Sequence, residues 1–197
     1  MTTKPGERKH QILQTLAAML EDPKAEKITT AALAKRLDVS EAALYRHFAS
    51  KAQMFEGLIE FIEQTLFGLV NKITAEEKSG IKQLEAVLTM LLGFAKKNPG
   101  MTRVLIGDAL VNEDERLQAR INQLHDRLET TLKQALRFAL SEKEIPEGVD
   151  PIAQANLMLA FVVGRWHQFG KSGSGAIQPS TGRRSGQASC DGRLRPA

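Results

Sequence analysis

Cysteine is almost absent from this 197-residue chain, and aromatic residues make up only 5% of it. The single cysteine, Cys190, excludes a disulfide within the chain, which is the composition expected of a protein from a reducing compartment. No stretch approaches the roughly 18 consecutive apolar residues that a membrane-spanning helix requires. The polar N-terminus, MTTKPGERKH, lacks the apolar core of a secretory signal. These absences predict a cytoplasmic protein without a membrane span.

Motifs for catalysis and for metal binding are also missing. The sequence contains neither a glycine-rich phosphate loop nor a nucleophile elbow. His125 and Glu129 lie one helical turn apart, but no third ligand accompanies them, so a solvated pair is the simpler interpretation. We therefore expect neither an enzyme nor a metal or cofactor site.

The net charge of +4 is distributed unevenly along the chain. Residues 1–51 contain nine basic and six acidic side chains, residues 52–170 contain 13 and 16, and residues 171–197 contain five and one. The N-terminal excess of positive charge is modest, but its sign suits contact with phosphate groups.

The sequence of residues 28–55 predicts a helix, a tight turn, a second helix and the start of a third. A hydroxyl at a helix start accepts a hydrogen bond from a free backbone N–H. Such residues stand where each helix would begin: Thr29 or Thr30, Ser40 and Ser50. Asp38 occupies the turn, where Asp tolerates the left-handed conformation better than most residues other than glycine. Two short helices joined in this way form a helix-turn-helix, whose second helix fits the DNA major groove. The alternative is a helical hairpin with a solvated face.

The string LAKRLDVSEAALYRHFASKAQMF resembles the DNA-binding signature of the TetR family. The matching positions are Ala34, Val39, Ser40, Leu44, Tyr45, His47, Phe48 and Lys51. Asp38 departs from the signature, because the family usually has glycine there. The resemblance implies an all-α, TetR-like fold, with an N-terminal three-helix head that contains the helix-turn-helix and a C-terminal helical bundle.

Apolar residues at helical spacing predict further helices on both sides of this motif. Their expected bounds are Lys9–Leu20, Lys51–Ile73, Ile81–Lys97, Thr102–Val111 and Glu113–Ser141, with a last helix that begins at Asp150-Pro151. The helix from Glu113 carries a heptad seam of the coiled-coil type, within a bundle. Gly93, in the middle of a helix, indicates the close approach of another backbone, which is either part of the core or part of a partner.

We expect three segments along the chain. Residues 1–52 form the helix-turn-helix domain, residues 53–170 form a helical dimerisation and partner-binding domain, and residues 171–197 form a disordered basic tail. The tail has five glycines, five serines and few apolar residues. It is either a native tail or the product of a reading-frame change near Gly170, since TetR-like proteins usually end in one more amphipathic helix. Resequencing the coding DNA distinguishes these explanations.

A closer resemblance, to the branch of the TetR family that acts in nucleoid occlusion, covers roughly residues 8–169. It rests on the segments LIEFIE and GFAKKNPGMTR, which are more particular than the general signature. It implies a nucleoid-associated homodimer on palindromic double-stranded DNA sites, which engages the division protein FtsZ and blocks septum assembly over the chromosome. The FtsZ-binding positions that it implies are Phe61, Met90, Gly93, Lys97 and Asn98. Leu69 stands where this branch can carry arginine.

The expected DNA contacts fall into two groups. Residues expected at base edges are Glu41, Ala42, Tyr45 and Arg46. Residues expected on or near phosphate are Thr29, Thr30, Ser40, His47 and Lys51. Two functions stay open at this point: nucleoid occlusion through FtsZ, and transcriptional repression of the TetR type in which a small ligand changes the spacing of the two heads.

Overall fold

The structure is a computed structural model that describes residues 5–22, 28–111 and 113–172. Throughout these ranges the regular structure is helical, and they contain no strand. The helices are α1 (Pro5–Met19), α2 (Thr30–Arg36), α3 (Glu41–Tyr45), α4 (Lys51–Glu76), α5 (Gly80–Lys97), α6 (Pro99–Leu105), α7 (Glu115–Ser141) and α8 (Pro151–Ser172), with one 3-10 turn at Asp108–Leu110. The all-α prediction is confirmed.

The helix-turn-helix forms where the capping residues predict it. The hydroxyl of Thr29 accepts a hydrogen bond from the backbone N–H of Ala32 at 3.1 Å, so Thr29 caps α2 and Thr30 does not. Ser40 and Ser50 cap α3 and α4 in the same way. Asp38 has a φ of 54°, which places it in the left-handed region that the turn requires. Local sequence therefore fixes both ends of the turn.

The three-helix head closes around a small apolar core. Leu33 and Ala34 of α2, Leu44 of α3 and Leu16 of α1 are all buried within the same apolar cluster. Phe48, between α3 and α4, is also buried in this core. Because these side chains occupy the inner faces, the opposite face of α3 remains open to solvent.

The long helix α4 joins this head to the rest of the chain. It contains 26 residues, which corresponds to a length of about 39 Å. Its Ile62 and Leu66 are completely buried against the body, which consists of α5, α6, α7 and α8. Trp166 of α8 is buried in this bundle and donates a hydrogen bond from Nε1 to the carbonyl oxygen of Leu91 at 3.1 Å. α4 is thus part of both packing units.

Two helical predictions need correction. The short helix expected at Thr102–Val111 is wrong in its bounds, because α6 begins at Pro99 and ends at Leu105. Proline suits the first helical position, and Gly107, with a φ of 77°, interrupts the segment before the 3-10 turn. The heptad seam predicted for α7 consists of Leu117, Ile121, Leu124, Leu128, Thr131, Ala135 and Phe138. It is buried from Leu117 to Leu128 and at Ala135, but its last member, Phe138, is 36% exposed and Ala139 is buried instead. A straight α-helix drifts relative to a heptad repeat, which explains the shift.

The last helix begins as its sequence predicts and extends slightly further than expected. Asp150 accepts a hydrogen bond from the backbone N–H of Ile152 at 2.9 Å, and Pro151 is the first helical residue. Within the described residues α8 extends to Ser172, two residues beyond the expected boundary at 170. The rest of the predicted disordered tail, residues 173–197, lies outside the described residues. Within the described ranges, no helix is long and apolar enough to cross a membrane.

Candidate nucleic-acid interface and partner surface

The outer face of α3 carries the residues that the sequence predicts to meet base edges. Glu41, Ala42, Tyr45 and Arg46 are all exposed, and Tyr45 is 46% exposed. Leu44, in the same helix, is buried and anchors α3 to the core of the head. The residues of a recognition helix that reach into the major groove must project in this way while the opposite face is held rigid.

A hydrogen bond ties the first helix of the motif to the second. The hydroxyl of Thr30 donates to Oε2 of Glu41 at 2.6 Å, across the turn between α2 and α3. One carboxylate oxygen of Glu41 is thus engaged within the head. The sequence predicts both residues as DNA contacts, but it contains no signal that they bond to each other.

The predicted phosphate contacts have different surroundings. The hydroxyls of Thr29 and Ser40 accept backbone N–H groups, and each still has a hydrogen to donate to a phosphate oxygen. His47 is half-buried. Lys51 already has a partner in the structure: its Nζ lies 2.5 Å from Oε1 of Glu113 and 5.6 Å from the centre of the Phe55 ring.

A second connection between head and body lies at the end of α1. Arg103 of α6 donates from Nη1 to the carbonyl oxygens of Leu20 and Asp22, at 3.2 and 3.0 Å. The same guanidinium pairs through Nε with Asp108 at 2.6 Å. The bonds to Leu20 and Asp22 join residues 83 and 81 positions apart, and the sequence did not predict them.

The predicted FtsZ-binding residues lie on α4, on α5 and at the start of α6. At Gly93, no heavy atom lies within 4 Å of the position that a Cβ would occupy, so of the two alternatives the structure shows no core contact there and the site is open. Lys97 is exposed and Met90 is half-buried. Phe61 is half-buried, and its ring lies edge-on to that of His10 with 5.2 Å between centroids.

Asn98 has a structural role within this surface. Its Nδ2 donates to the carbonyl oxygen of Phe94 at 2.9 Å, and its own carbonyl accepts from the hydroxyl of the buried Thr102 at 2.9 Å. These bonds fix the corner between α5 and α6. Leu69, on α4, is 41% exposed.

A third surface is an apolar stripe on the outer side of α8. Leu157 and Phe161 are 63% and 57% exposed, which is unusual for residues of this size. Small residues at helical spacing lie beside them: Ala153, Ala160 and Gly164. A contiguous exposed apolar surface of this kind is typical of a protein–protein contact.

His125 and Glu129, one helical turn apart on α7, have separate surroundings in the structure. Within the described residues there is no group of three or more metal-ligating side chains. Glu129 accepts a hydrogen bond from Asn156 at 3.4 Å. Burial lowers the pKa of His125, a hydrogen bond with the backbone of Leu105 partly opposes this, and the buried Nε2 of His125 has no hydrogen-bond partner.

The body also has a cleft of about 400 Å³ at one end of the bundle. It is open to solvent, and its lining includes Gln118, His167 and the backbone of Gly107. The apolar interior of the bundle is elsewhere filled by fully buried leucine and isoleucine side chains of α4 and α7.

Comparison with known proteins covers both parts of this structure. Residues 12–58 match the model for bacterial regulatory proteins of the tetR family, and residues 78–181 match the SlmA-like model described as a tetracyclin repressor-like C-terminal domain. A solved transcriptional regulator of the TetR family from Agrobacterium tumefaciens superposes with a TM-score of 0.73 at 16% identity, covering 86% of this chain and 90% of that one. This likeness concerns the fold.

Closer similarity appears among the curated relatives. The nucleoid occlusion factor SlmA of Alteromonas mediterranea is 53% identical over 174 residues, covering 86% of this chain and 87% of the relative. The protein of the same name from a Marinomonas species is 50% identical over 172 residues, covering 87% of each. The chain therefore belongs to the TetR family and, within it, to the branch of the nucleoid occlusion factors SlmA.

Proposed function

We propose that this protein is a sequence-specific DNA-binding nucleoid occlusion factor, whose DNA-bound dimer binds FtsZ and inhibits its assembly over the chromosome. The observation that carries the proposal is the identity of about 50% to curated nucleoid occlusion factors along most of the chain. The proposed location is the cytoplasm, in association with the nucleoid. The proposal assigns a separate surface to each partner: the outer face of α3 to DNA, the surface of α4 and α5 to FtsZ, and α8 to a second copy.

The proposed DNA contact follows the usual geometry of a helix-turn-helix. The exposed face of α3 enters the major groove, where Arg46 is suited to a bidentate bond with guanine. The hydroxyls of Thr29 and Ser40, together with the backbone N–H groups at the start of α4, face the phosphates on either side. These contacts position the head, and the side chains of α3 read the sequence.

The proposed dimer pairs α8 with its copy. Leu157 and Phe161 would otherwise expose large apolar surfaces to water, and a twofold axis beside them would bury both. The small residues Ala160 and Gly164 allow the two helices to approach closely. Such a dimer places two heads on one duplex, and two identical heads read a palindrome.

The proposed FtsZ surface lies where α4 and α5 leave an open position at Gly93. Lys97 gives one edge of it a positive charge, and Phe61 and Met90 supply apolar surface. Since no neighbouring atom fills the space above Gly93, a partner backbone can approach α5 closely there. A positively charged, partly apolar surface suits a segment with acidic residues.

The first experiment measures FtsZ binding by fluorescence anisotropy at fixed salt, with and without a duplex selected by the protein from a random library. We expect FtsZ binding that appears or strengthens when the duplex is present. Binding to DNA without any FtsZ response would place the protein among ligand-responsive repressors, with the cleft beside His167 as the place to test small molecules.

A pair of charge reversals locates the FtsZ surface. Lys97→Glu should weaken FtsZ binding and leave DNA binding unchanged, because Lys97 is exposed and far along the chain from α3. Lys96→Glu is the matched control, since Lys96 is also exposed in the last turn of α5 but lies about 100° away around the helix. Asn98 is less suitable for this test because its substitution would disturb the corner between α5 and α6. Equal effects of the two reversals would contradict the assigned surface.

A further inference from the structure

The ion pair between Lys51 and Glu113 joins the DNA-facing head to the body. Lys51 is the first residue of α4, and Glu113 lies just before α7, 62 positions further along the chain. Only 24% of the lysine side chain and 12% of the glutamate side chain are exposed. The pair is therefore shielded from solvent more than an ordinary surface pair, and its geometry requires the head and body to keep their relative position.

We propose that Glu113 is a further residue of the DNA interface, which acts by holding Lys51 and competing with DNA phosphate for it. This inference rests on the proposed DNA-binding function and adds to it a residue of the protein itself that lowers the affinity for DNA. A carboxylate and a phosphate oxygen offer the same kind of acceptor to an ammonium group. Lys51 can satisfy one of these anions fully only by moving away from the other. Glu113 thus reduces the affinity of the head for DNA.

Glu113 also connects this competition to the body. Its neighbour Asp114 caps α7 through the backbone N–H of Arg116, so a shift of Glu113 acts on the start of α7. Equilibrium linkage is reciprocal: if an arrangement of the body weakens DNA binding through this pair, DNA disfavours that arrangement to the same degree. DNA that captures Lys51 therefore frees the segment before α7.

The test measures binding to a fluorescein-labelled, random-sequence duplex, because phosphate contacts do not depend on sequence. Glu113→Gln should bind about two- to fivefold more tightly than the unaltered protein, as expected for release from a partly shielded ion pair. Its affinity should also fall more steeply as the salt concentration rises, because the freed Lys51 can make up to about one additional phosphate contact. Glu115→Gln, an exposed change of the same charge two residues away, is the matched control.

A double-mutant cycle isolates the role of Lys51. In a Lys51→Gln background, Glu113→Gln should have no larger effect than Glu115→Gln, because the pair no longer exists. The inference is overturned if Glu113→Gln binds DNA no more tightly than the unaltered protein, or if its effect persists without Lys51.

A second variant guards against loss of folding. Glu113→Asp keeps the charge but shortens the side chain by one methylene, so it should also tighten DNA binding by weakening the contact with Lys51. If neither variant folds by circular dichroism, Glu113 is a structural support and the inference is overturned. If the unaltered protein binds no DNA, both the inference and the proposed function fail; if it binds but the Glu113 variants match it, only the inference fails.

Discussion

The contact between α6 and α1 gives a sharp test of how rigidly the head is attached. A Cβ added at Gly100 would lie 2.0 Å from the carbonyl oxygen of Ala17 and 3.2 Å from the backbone nitrogen of Glu21. Both atoms belong to the backbone, so neither can rotate away. In Gly100→Ala, α6 and α1 must therefore move apart by roughly 1 Å to restore ordinary contact, and overpacking of this kind costs about 1–3 kcal/mol.

We expect the free energy of unfolding of Gly100→Ala to fall by that amount. Urea unfolding followed by circular dichroism, at one protein concentration, measures it. Gly68→Ala is the matched control, since Gly68 lies within α4 and no heavy atom is within 4 Å of its added Cβ. Alanine should stabilise that helix by about 0.5–1 kcal/mol, so the two substitutions should have opposite signs.

The displaced head should also bind DNA differently. Arg103 fixes the end of α1 from the same helix, so a shift of α6 changes both attachments together. We expect weaker binding to a selected palindrome and a smaller change on a single half-site. Stability and palindrome binding equal to those of the unaltered protein would refute the idea that close packing at Gly100 positions the head.

Three further predictions concern other parts of the molecule. Leu157→Glu should give a folded monomer in analytical ultracentrifugation at concentrations where the unaltered protein is a dimer; a persistent dimer would mean that another surface pairs the subunits. Arg46→Ala should weaken binding to the selected palindrome by about 1–3 kcal/mol and leave random DNA nearly unaffected, as measured by anisotropy; equal losses on both would identify a phosphate contact. Burial lowers the pKa of His125 below its usual 6.5, so the imidazole binds a proton more readily in the unfolded chain than in the folded one. The free energy of unfolding should therefore decrease as the pH falls from about 7.5 to about 5.5. His125→Phe should flatten this dependence in urea unfolding, and an unchanged slope would assign it to other groups.

Short-range features of this chain were predictable from sequence. The caps at Ser40, Ser50 and Asp150 and the left-handed turn at Asp38 all involve atoms within a few residues of one another. Their geometry depends on residue type and neighbouring backbone, which a sequence displays directly. The outward face of α3 followed from the same reasoning, because burial of Leu44 determines which residues face out.

Contacts between distant segments were not predictable in this way. The pairing of Lys51 with Glu113 depends on how α4 and α7 pack, and the bond from Arg103 to the end of α1 depends on where α6 crosses it. The end of the α7 seam was predicted wrongly for a related reason. A heptad count assigns Phe138 to the core, but the straight helix turns Ala139 inward instead. Predicting these features requires the helix axes and not the residue pattern alone.

The positions of these long-range contacts offer a physical reason for the proposed dependence of FtsZ binding on DNA. One continuous segment, residues 98–114, begins at Asn98 on the proposed FtsZ surface and touches the head twice. Near its start, Gly100 and Arg103 hold the end of α1, and near its end Glu113 holds the first residue of α4. A head that is reoriented by DNA must therefore displace the segment at both ends or release it at one. Release at Glu113 leaves the Asn98 corner attached to α5, so we infer that the change reaches the proposed FtsZ surface through α6. On this basis, substitutions at Glu113 should alter how strongly FtsZ binding responds to DNA, while substitutions at Lys97 should alter FtsZ binding whether or not DNA is present.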